Sequence, residues 1–255
     1  MTPIYPDLAG KVAVVTGGSK GIGAATCRVL AANGVNVAVV ARNQPAVNRV
    51  ASSLMGNGSR SIGISADMLN PEDVERVRHQ VEDELGPPDI LLAFAGGFGR
   101  TTPICDITLE EWNFVIESNL TATFLTCKTF LPGMIERKRG SIVTMASNAG
   151  RLLDITLTAS YAAAKAAIVM FTRHVAKEVG QHGVRINCVA PATTLTERVQ
   201  SIMSPERIQE LAKLAPLKRI GMPDDTALAT LFLVSESASW LTGVTIDVAG
   251  GRIMI

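Results

Sequence analysis

The feature that most limits how this chain can fold is a set of short runs that are apolar almost throughout. Each is followed by a stretch of helical or turn-forming sequence. Lys11 to Thr16 (KVAVVT), Val35 to Ala41 (VNVAVVA), Ser61 to Ser65, Ile90 to Ala95, Ser141 to Met145, Val184 to Val189 and Val244 to Val248 read as seven strands. A strand with one wet face alternates polar and apolar residues, whereas a run without alternation is buried on both faces, as in a parallel sheet. Helices are expected from about Gly21 to Asn33, from about Pro45 to Met55, and from Pro71 to near Gly86. Asn70 caps the third and Pro71 sets its first turn. Thr108 with Glu111 three residues on forms a capping box ahead of a longer helical region. Strands alternating with helices give βαβ units. With right-handed crossovers these build one doubly wound α/β sheet of seven parallel strands, and 255 residues fit a single domain, 1–255.

Charge narrows the class. Lys+Arg number 24 and Asp+Glu 23, a net charge of +1, so the concentrated basic footprint of a nucleic-acid binder is absent. No apolar run reaches the ~18 residues of a membrane span. The opening MTPIYPDLAGK lacks the basic start and apolar run of a signal peptide, so a cytoplasmic, reducing setting is expected. Cys27, Cys105, Cys127 and Cys188 form no CxxC pair and no metal-ligand spacing; each sits in an apolar stretch and is expected to be a core thiol. Charged residues make up 18%, below the usual ~25%, as for a surface partly covered by other subunits.

The first strand runs straight into Thr16-Gly17-Gly18-Ser19-Lys20-Gly21-Ile22-Gly23, which opens a helix. A helix start presents unpaired N–H groups and a partial positive charge that suit a pyrophosphate, and glycines let the backbone approach it. The spacing is G-x-x-x-G-x-G rather than G-x-G-x-x-G. An acidic residue ending the second strand would bind a ribose 2′-hydroxyl. The chain has Ala41-Arg42-Asn43 there. Arg42, with its planar fork, and Lys20 instead favour the 2′-phosphate of NADP(H).

Tyr161 and Lys165 lie four apart in the strong helix former Ser160-Tyr161-Ala162-Ala163-Ala164-Lys165, and so share a helix face. Tyrosine is a poor acid/base at neutral pH, with a pKa near 10, and a neighbouring ammonium is expected to lower it.

Taken in order, Thr16-Gly17-x-x-x-Gly21-x-Gly23, Asn119, Ser147 and Tyr161-x-x-x-Lys165 resemble the short-chain dehydrogenase/reductases, nearest the branch of 3-oxoacyl-acyl-carrier-protein and carbonyl reductases. The likeness runs from Lys11 to Gly251 and implies a Rossmann-type domain. It also implies roles. Tyr161 would protonate a ketone oxygen, Ser147 would hydrogen-bond that oxygen, and Asn119 would hold a water linking Lys165 to solvent. Lys165 would hold the nicotinamide ribose and depress the Tyr161 pKa. Gly17, Ser19, Lys20, Gly21, Ile22 and Gly23 would meet the cofactor phosphates and ribose. Arg42 and Asn43 would take the 2′-phosphate, and Asp67 with Met68 the adenine. Ala95, Gly96, Pro191, Thr194 and Thr196 would complete the groove.

The implied activity is an NADPH-dependent reductase of a ketone, a 3-oxoacyl thioester or another hydrophobic substrate, in a homotetramer. An NAD-linked secondary alcohol dehydrogenase and a non-catalytic dinucleotide-binding regulatory protein are the alternatives. No nucleic acid, membrane or metal partner is expected. A helical substrate flap is placed at about 194–217, with Leu195 and Met203 toward the pocket. Phe98, Leu152, Leu153 and Ile155 form an apolar wall, and Leu157 extends the apolar loop after Gly150. Two departures stand out. The family's Asn-Asn-Ala-Gly is Ala93-Phe94-Ala95-Gly96 here, so another group must brace the neighbouring strands, and its Pro-Gly is Pro191-Ala192. Arg100, Arg137, Lys138 and Arg139 are candidates for a basic entrance patch, with an ordinary solvated surface the competing reading. The apolar end Arg252-Ile253-Met254-Ile255 is expected to meet a neighbouring subunit.

Overall fold

The apolar runs become strands in a computed structural model that describes residues 2–54, 58–152 and 158–254. In chain order the larger elements are β1 (Val12–Thr16), α1 (Gly21–Ala32), β2 (Asn36–Ala41), α2 (Gln44–Leu54), β3 (Ser61–Ser65), α3 (Pro71–Glu84) and β4 (Ile90–Ala93). They continue with α4 (Leu109–Ile116), α5 (Ala122–Glu136), β5 (Gly140–Met145), α6 (Ala159–Val179) and β6 (Val184–Pro191). The last are α7 (Glu197–Ile202), α8 (Pro205–Leu214), α9 (Pro223–Val234) and β7 (Thr245–Val248). Among the described residues the seven strands form one parallel sheet in the order β3-β2-β1-β4-β5-β6-β7.

Period-two geometry explains the unbroken apolar strands. Ala13 and Val15 of β1 face the layer of α1, α2 and α9, and Val12 and Val14 face that of α3, α5 and α6. The caps read from sequence are present. Asn70 accepts from the Glu72 N–H at 2.9 Å, and Thr108 and Glu111 bond reciprocally. β4 stops at Ala93, two residues short of the expected end. The expected flap helix is two helices, because Ser204 caps and Pro205 starts a second one, α8.

Two expectations need correction. Cys105 is exposed, since it falls in the loop after β4 rather than in an element; Cys27, Cys127 and Cys188 are buried. Burial pushes the Cys27 and Cys127 thiols up to about 12. The basic entrance patch is split. Arg100 follows β4 at the carboxyl end of the sheet, whereas Arg137 and Arg139 come just before β5, at the opposite end. There Arg137 donates to the Pro88 carbonyl and Arg139 pairs with Asp89. At the chain end Ile253 is buried within its own subunit and only Met254 stands out; Met1 and Ile255 lie outside the described residues. So do Met55, expected to end α2, and Leu153, Ile155 and Leu157 of the apolar wall.

Candidate active site

Between β1 and β4 the strand order reverses, and the segments that follow them depart to opposite faces. This leaves a crevice at the carboxyl ends of the strands, where open α/β sheets bind ligands. Thr16, the last residue of β1, holds the crevice's floor. Its hydroxyl donates to the Leu92 carbonyl at 3.2 Å and accepts from the N–H groups of Phe94 and Ala95 at 3.0 and 3.1 Å. Thr16 thereby ties β1 to the residues after β4, and Phe94 packs in the core.

One wall is the glycine turn. Gly17 has φ +68°, and a Cβ on Gly23 would collide with the Gly17 carbonyl, so the turn and the first turn of α1 close on each other only without side chains. Ser19 is half-buried, and Lys20 caps α1 with its side chain exposed. The Gly21 N–H donates to the Glu197 carboxylate at 3.2 Å. The start of α1 thus already holds an oxyanion supplied by the chain, in keeping with a seat for a phosphate oxygen. At the end of β2, Arg42 and Asn43 are exposed. The Asn43 side chain accepts from the Ala46 N–H at 2.9 Å, while Arg42 presents its guanidinium with no described carboxylate against it. After β3, Asp67 is exposed and accepts from the Leu69 N–H at 3.0 Å, and Met68 is buried.

The second wall follows β4. Asn119 lies in a five-residue π-helical stretch, Glu117–Thr121, between α4 and α5. Such a bulge re-aims side chains and is frequent at functional sites. Fully buried, its amide accepts from the Gly97 N–H at 3.1 Å and donates to the Gly97 and Val115 carbonyls at 2.9 and 2.8 Å. The Asn119 carboxamide therefore clamps the loop of Ala95, Gly96 and Gly97.

The reactive groups meet between these walls. Thr158 caps α6, taking the Tyr161 N–H at 3.3 Å, and this sets the face that Tyr161 and Lys165 share. The loop carrying Ser147 closes onto that face at Gly150, where a Cβ would sit 2.5 Å from the Ala166 nitrogen. The Ser147 hydroxyl acts on the Tyr161 phenol and pulls its pKa down. It also donates to the Asn148 amide oxygen at 3.1 Å. Lys165 is buried and donates to the Met145 carbonyl at 2.7 Å, with Nζ 5.6 Å from the Tyr161 ring centre. Burial lowers its ammonium to about 8. For Tyr161 the expected lowering is not what the chain alone provides. Burial raises the phenol first, and the Ser147 hydroxyl and the Arg198 charge pull it back only in part.

The rim is built from β6 onward. Pro191 is buried, Thr194 donates to the Ala192 carbonyl at 3.0 Å, and Thr196 caps α7. From α7, Arg198 reaches back across the crevice. Its guanidinium lies 4.2 Å from the Phe98 ring centre and donates to the Phe98 carbonyl at 2.7 Å. The Phe98 ring stands edge-on to Tyr161 at 6.2 Å, and Val115 and Ala149 complete this apolar side. Leu152 of the expected wall is exposed. Sequence reasoning missed Arg198, Glu197 and Asn148. The Arg198–Phe98 contact spans 100 residues and leaves no periodic signal. Asn148 is buried with its Nδ2 unpartnered. A cavity of about 410 Å³ opens at the other end of the sheet, beside the starts of β4, β5 and β6, with its Arg139 and Lys11 already paired to Asp89 and Glu236.

Comparison with known proteins agrees with this geometry. A family profile described as short chain dehydrogenase matches residues 11–207. The chain is 37% identical over 249 residues to a 3-oxoacyl-acyl-carrier-protein reductase of Vibrio cholerae, covering 98% of this chain and 100% of that protein. It is 34% identical over 254 residues to a 2,3-dihydro-2,3-dihydroxybenzoate dehydrogenase of Bacillus subtilis, covering 96% and 97%. A 3-oxoacyl-acyl-carrier-protein reductase with bound NAD from Brucella melitensis superposes with a TM-score of 0.92 at 31% identity, covering 100% of this chain and 97% of that one.

Proposed function

The chain belongs to the short-chain dehydrogenase family, and on that premise we propose that it is an NADPH-dependent reductase of ketones, with 3-oxoacyl thioesters and other hydrophobic ketones as its substrate class. The observation that carries this reading is the shared, buried face of Tyr161 and Lys165 on α6, with the Ser147–Gly150 loop closed against that helix. The dinucleotide groove runs from Gly17 and Gly21, across Arg42 and Asp67, to Ala95 and Thr194. When bound, the nicotinamide supplies the hydride. The chain's own residues handle the proton and the charge. Burial keeps the Tyr161 phenol protonated at neutral pH, as a proton donor requires. Tyr161 offers its O–H to a carbonyl oxygen placed beside it, and Ser147 adds a second donor by turning its hydroxyl away from Asn148. Their hydrogen bonds strengthen as negative charge develops there, in the manner of an oxyanion hole. As the phenol yields its proton, the Lys165 ammonium beside the ring stabilises the phenolate.

Lys20 and Arg42, with no carboxylate ending β2, support NADPH over NADH. The name of the Bacillus relative and the NAD bound to the Brucella protein favour a second reading, NAD-linked oxidation of an alcohol. The stretch 194–217 is assigned as substrate flap. Exposed Phe114 on α4, Phe124 on α5 and Met170 on α6 fit contacts within a homotetramer. No described helix is long and apolar enough to cross a membrane, and the reading places the enzyme in the cytoplasm. The test is a ketone panel followed by dinucleotide absorbance. Tyr161→Phe is expected to cut turnover by about 100-fold or more while leaving NADPH affinity within a few-fold. Wild-type turnover in that variant would overturn the assignment.

A further inference from the structure

Among the cleft's charged groups, Arg198 has no role in the chemistry proposed above. It projects from α7 over Phe98, and the two ring distances place its guanidinium carbon within about 10 Å of the Tyr161 ring centre. No described carboxylate pairs with it, and the neighbouring Glu197 is committed to the Gly21 N–H. Among the described residues its guanidinium uses a single N–H, on the Phe98 carbonyl, and leaves the rest of the fork for a ligand. The wall beneath it is apolar, from Phe98, Val115 and Ala149. A site with an apolar body and one cation at its edge offers a contact that a purely hydrophobic ketone would leave unused.

We infer that Arg198 is the specificity-determining residue of this cleft and that it selects ketones bearing a carboxylate a few bonds from the carbonyl. This rests on the reductase reading. A carbonyl oxygen held by Tyr161 and Ser147 would direct the short carbon chain over Phe98 and bring its carboxylate to the guanidinium, which binds carboxylates in bidentate geometry. A single cation matches one negative charge. A phosphate dianion would want a second, and the next arginine after Ser147, Arg151, is already held by Asp247 at 2.6 and 2.9 Å. The charge of Arg198 is felt at the Tyr161 phenol, as this placement requires.

The experiment compares levulinate with methyl levulinate, and the one-carbon-longer oxo acid with its methyl ester, following NADPH consumption by the full-length enzyme. The wild-type protein should prefer each acid over its ester. Arg198→Met should lower the acid-to-ester ratio of kcat/KM by about 10- to 100-fold, the loss expected for one charge-assisted contact. Arg198→Lys should restore part of it. Circular dichroism and NADPH affinity report whether the variants are folded. An unchanged ratio in Arg198→Met overturns the inference. So does a parallel fall for acid and ester, which would make Arg198 only a fastener of α7 to the Phe98 loop. If the wild-type protein binds NADPH but consumes none with either member of a pair, the reductase reading itself fails, and the inference with it.

Discussion

Replacing Lys165 with methionine should make the free protein more stable while abolishing its turnover. The ammonium is buried, and burial lowers it from the ordinary lysine value of about 10.4 to about 8. At about 1.36 kcal/mol for each tenfold change in proton affinity, the charged form costs the folded chain roughly 3 kcal/mol. Methionine fills a similar volume without charge but gives up the 2.7 Å bond to the Met145 carbonyl, worth about 1–2 kcal/mol. The net gain for Lys165→Met at pH 7 is therefore about 1–2 kcal/mol, or a Tm higher by about 3–6 °C for a domain of this size. The sign with pH follows from linkage. Between about pH 8 and 10.4 the unfolded chain still holds the proton and the folded chain has released it, so wild-type stability from this group rises with pH. Below pH 8 both states are charged and the penalty is complete; above about 10.4 it has vanished, and with it the variant's advantage. Urea unfolding of both proteins without dinucleotide, at pH 7 and pH 10, measures the difference. A variant less stable at pH 7, or an advantage that does not shrink with pH, would refute the reasoning. Function retains a lysine that stability alone would discard.

Two further outcomes follow from the crevice. Arg42→Asp should weaken NADPH by about 10-fold or more and NADH far less, as measured by fluorescence titration, because a carboxylate would repel the 2′-phosphate; an unchanged preference would remove the 2′-phosphate assignment. Thr16→Val keeps the shape of β1 but leaves the Phe94 and Ala95 N–H groups without their acceptor, so unfolding should become easier by about 2–4 kcal/mol. A denaturation midpoint equal to wild type would mean that Thr16 does not brace β4.

Features local in sequence were legible from it. Tyr161 and Lys165 are four apart on a helix, so their shared face needed no tertiary information. The glycine turn was legible because it lies between a strand and a helix, and the Asn70 and Thr108 caps because their partners lie two and three residues away. What lay further apart was not. Only the pairing of β1 with β4 brought the Thr16 hydroxyl to the Phe94 N–H, 78 residues away. The sequence did not show that the π-helical turn directs the Asn119 carboxamide onto Gly97, 22 residues away. The cysteine rule failed at Cys105 because an apolar neighbourhood in sequence is not burial in space.

The sequence by itself determined the layers, the strands and which residue types could carry chemistry. Hydrophobic periodicity and capping act within one element, and the period of the apolar residues already encodes which faces are covered. Only the tertiary structure decided which proton acceptors stand near which donors. It fastened Lys165 to Met145, seated Glu197 on the start of α1 and laid Arg198 over Phe98. Those contacts depend on the directions of side chains brought together by crossovers of up to 176 residues, and on how deeply each is removed from water.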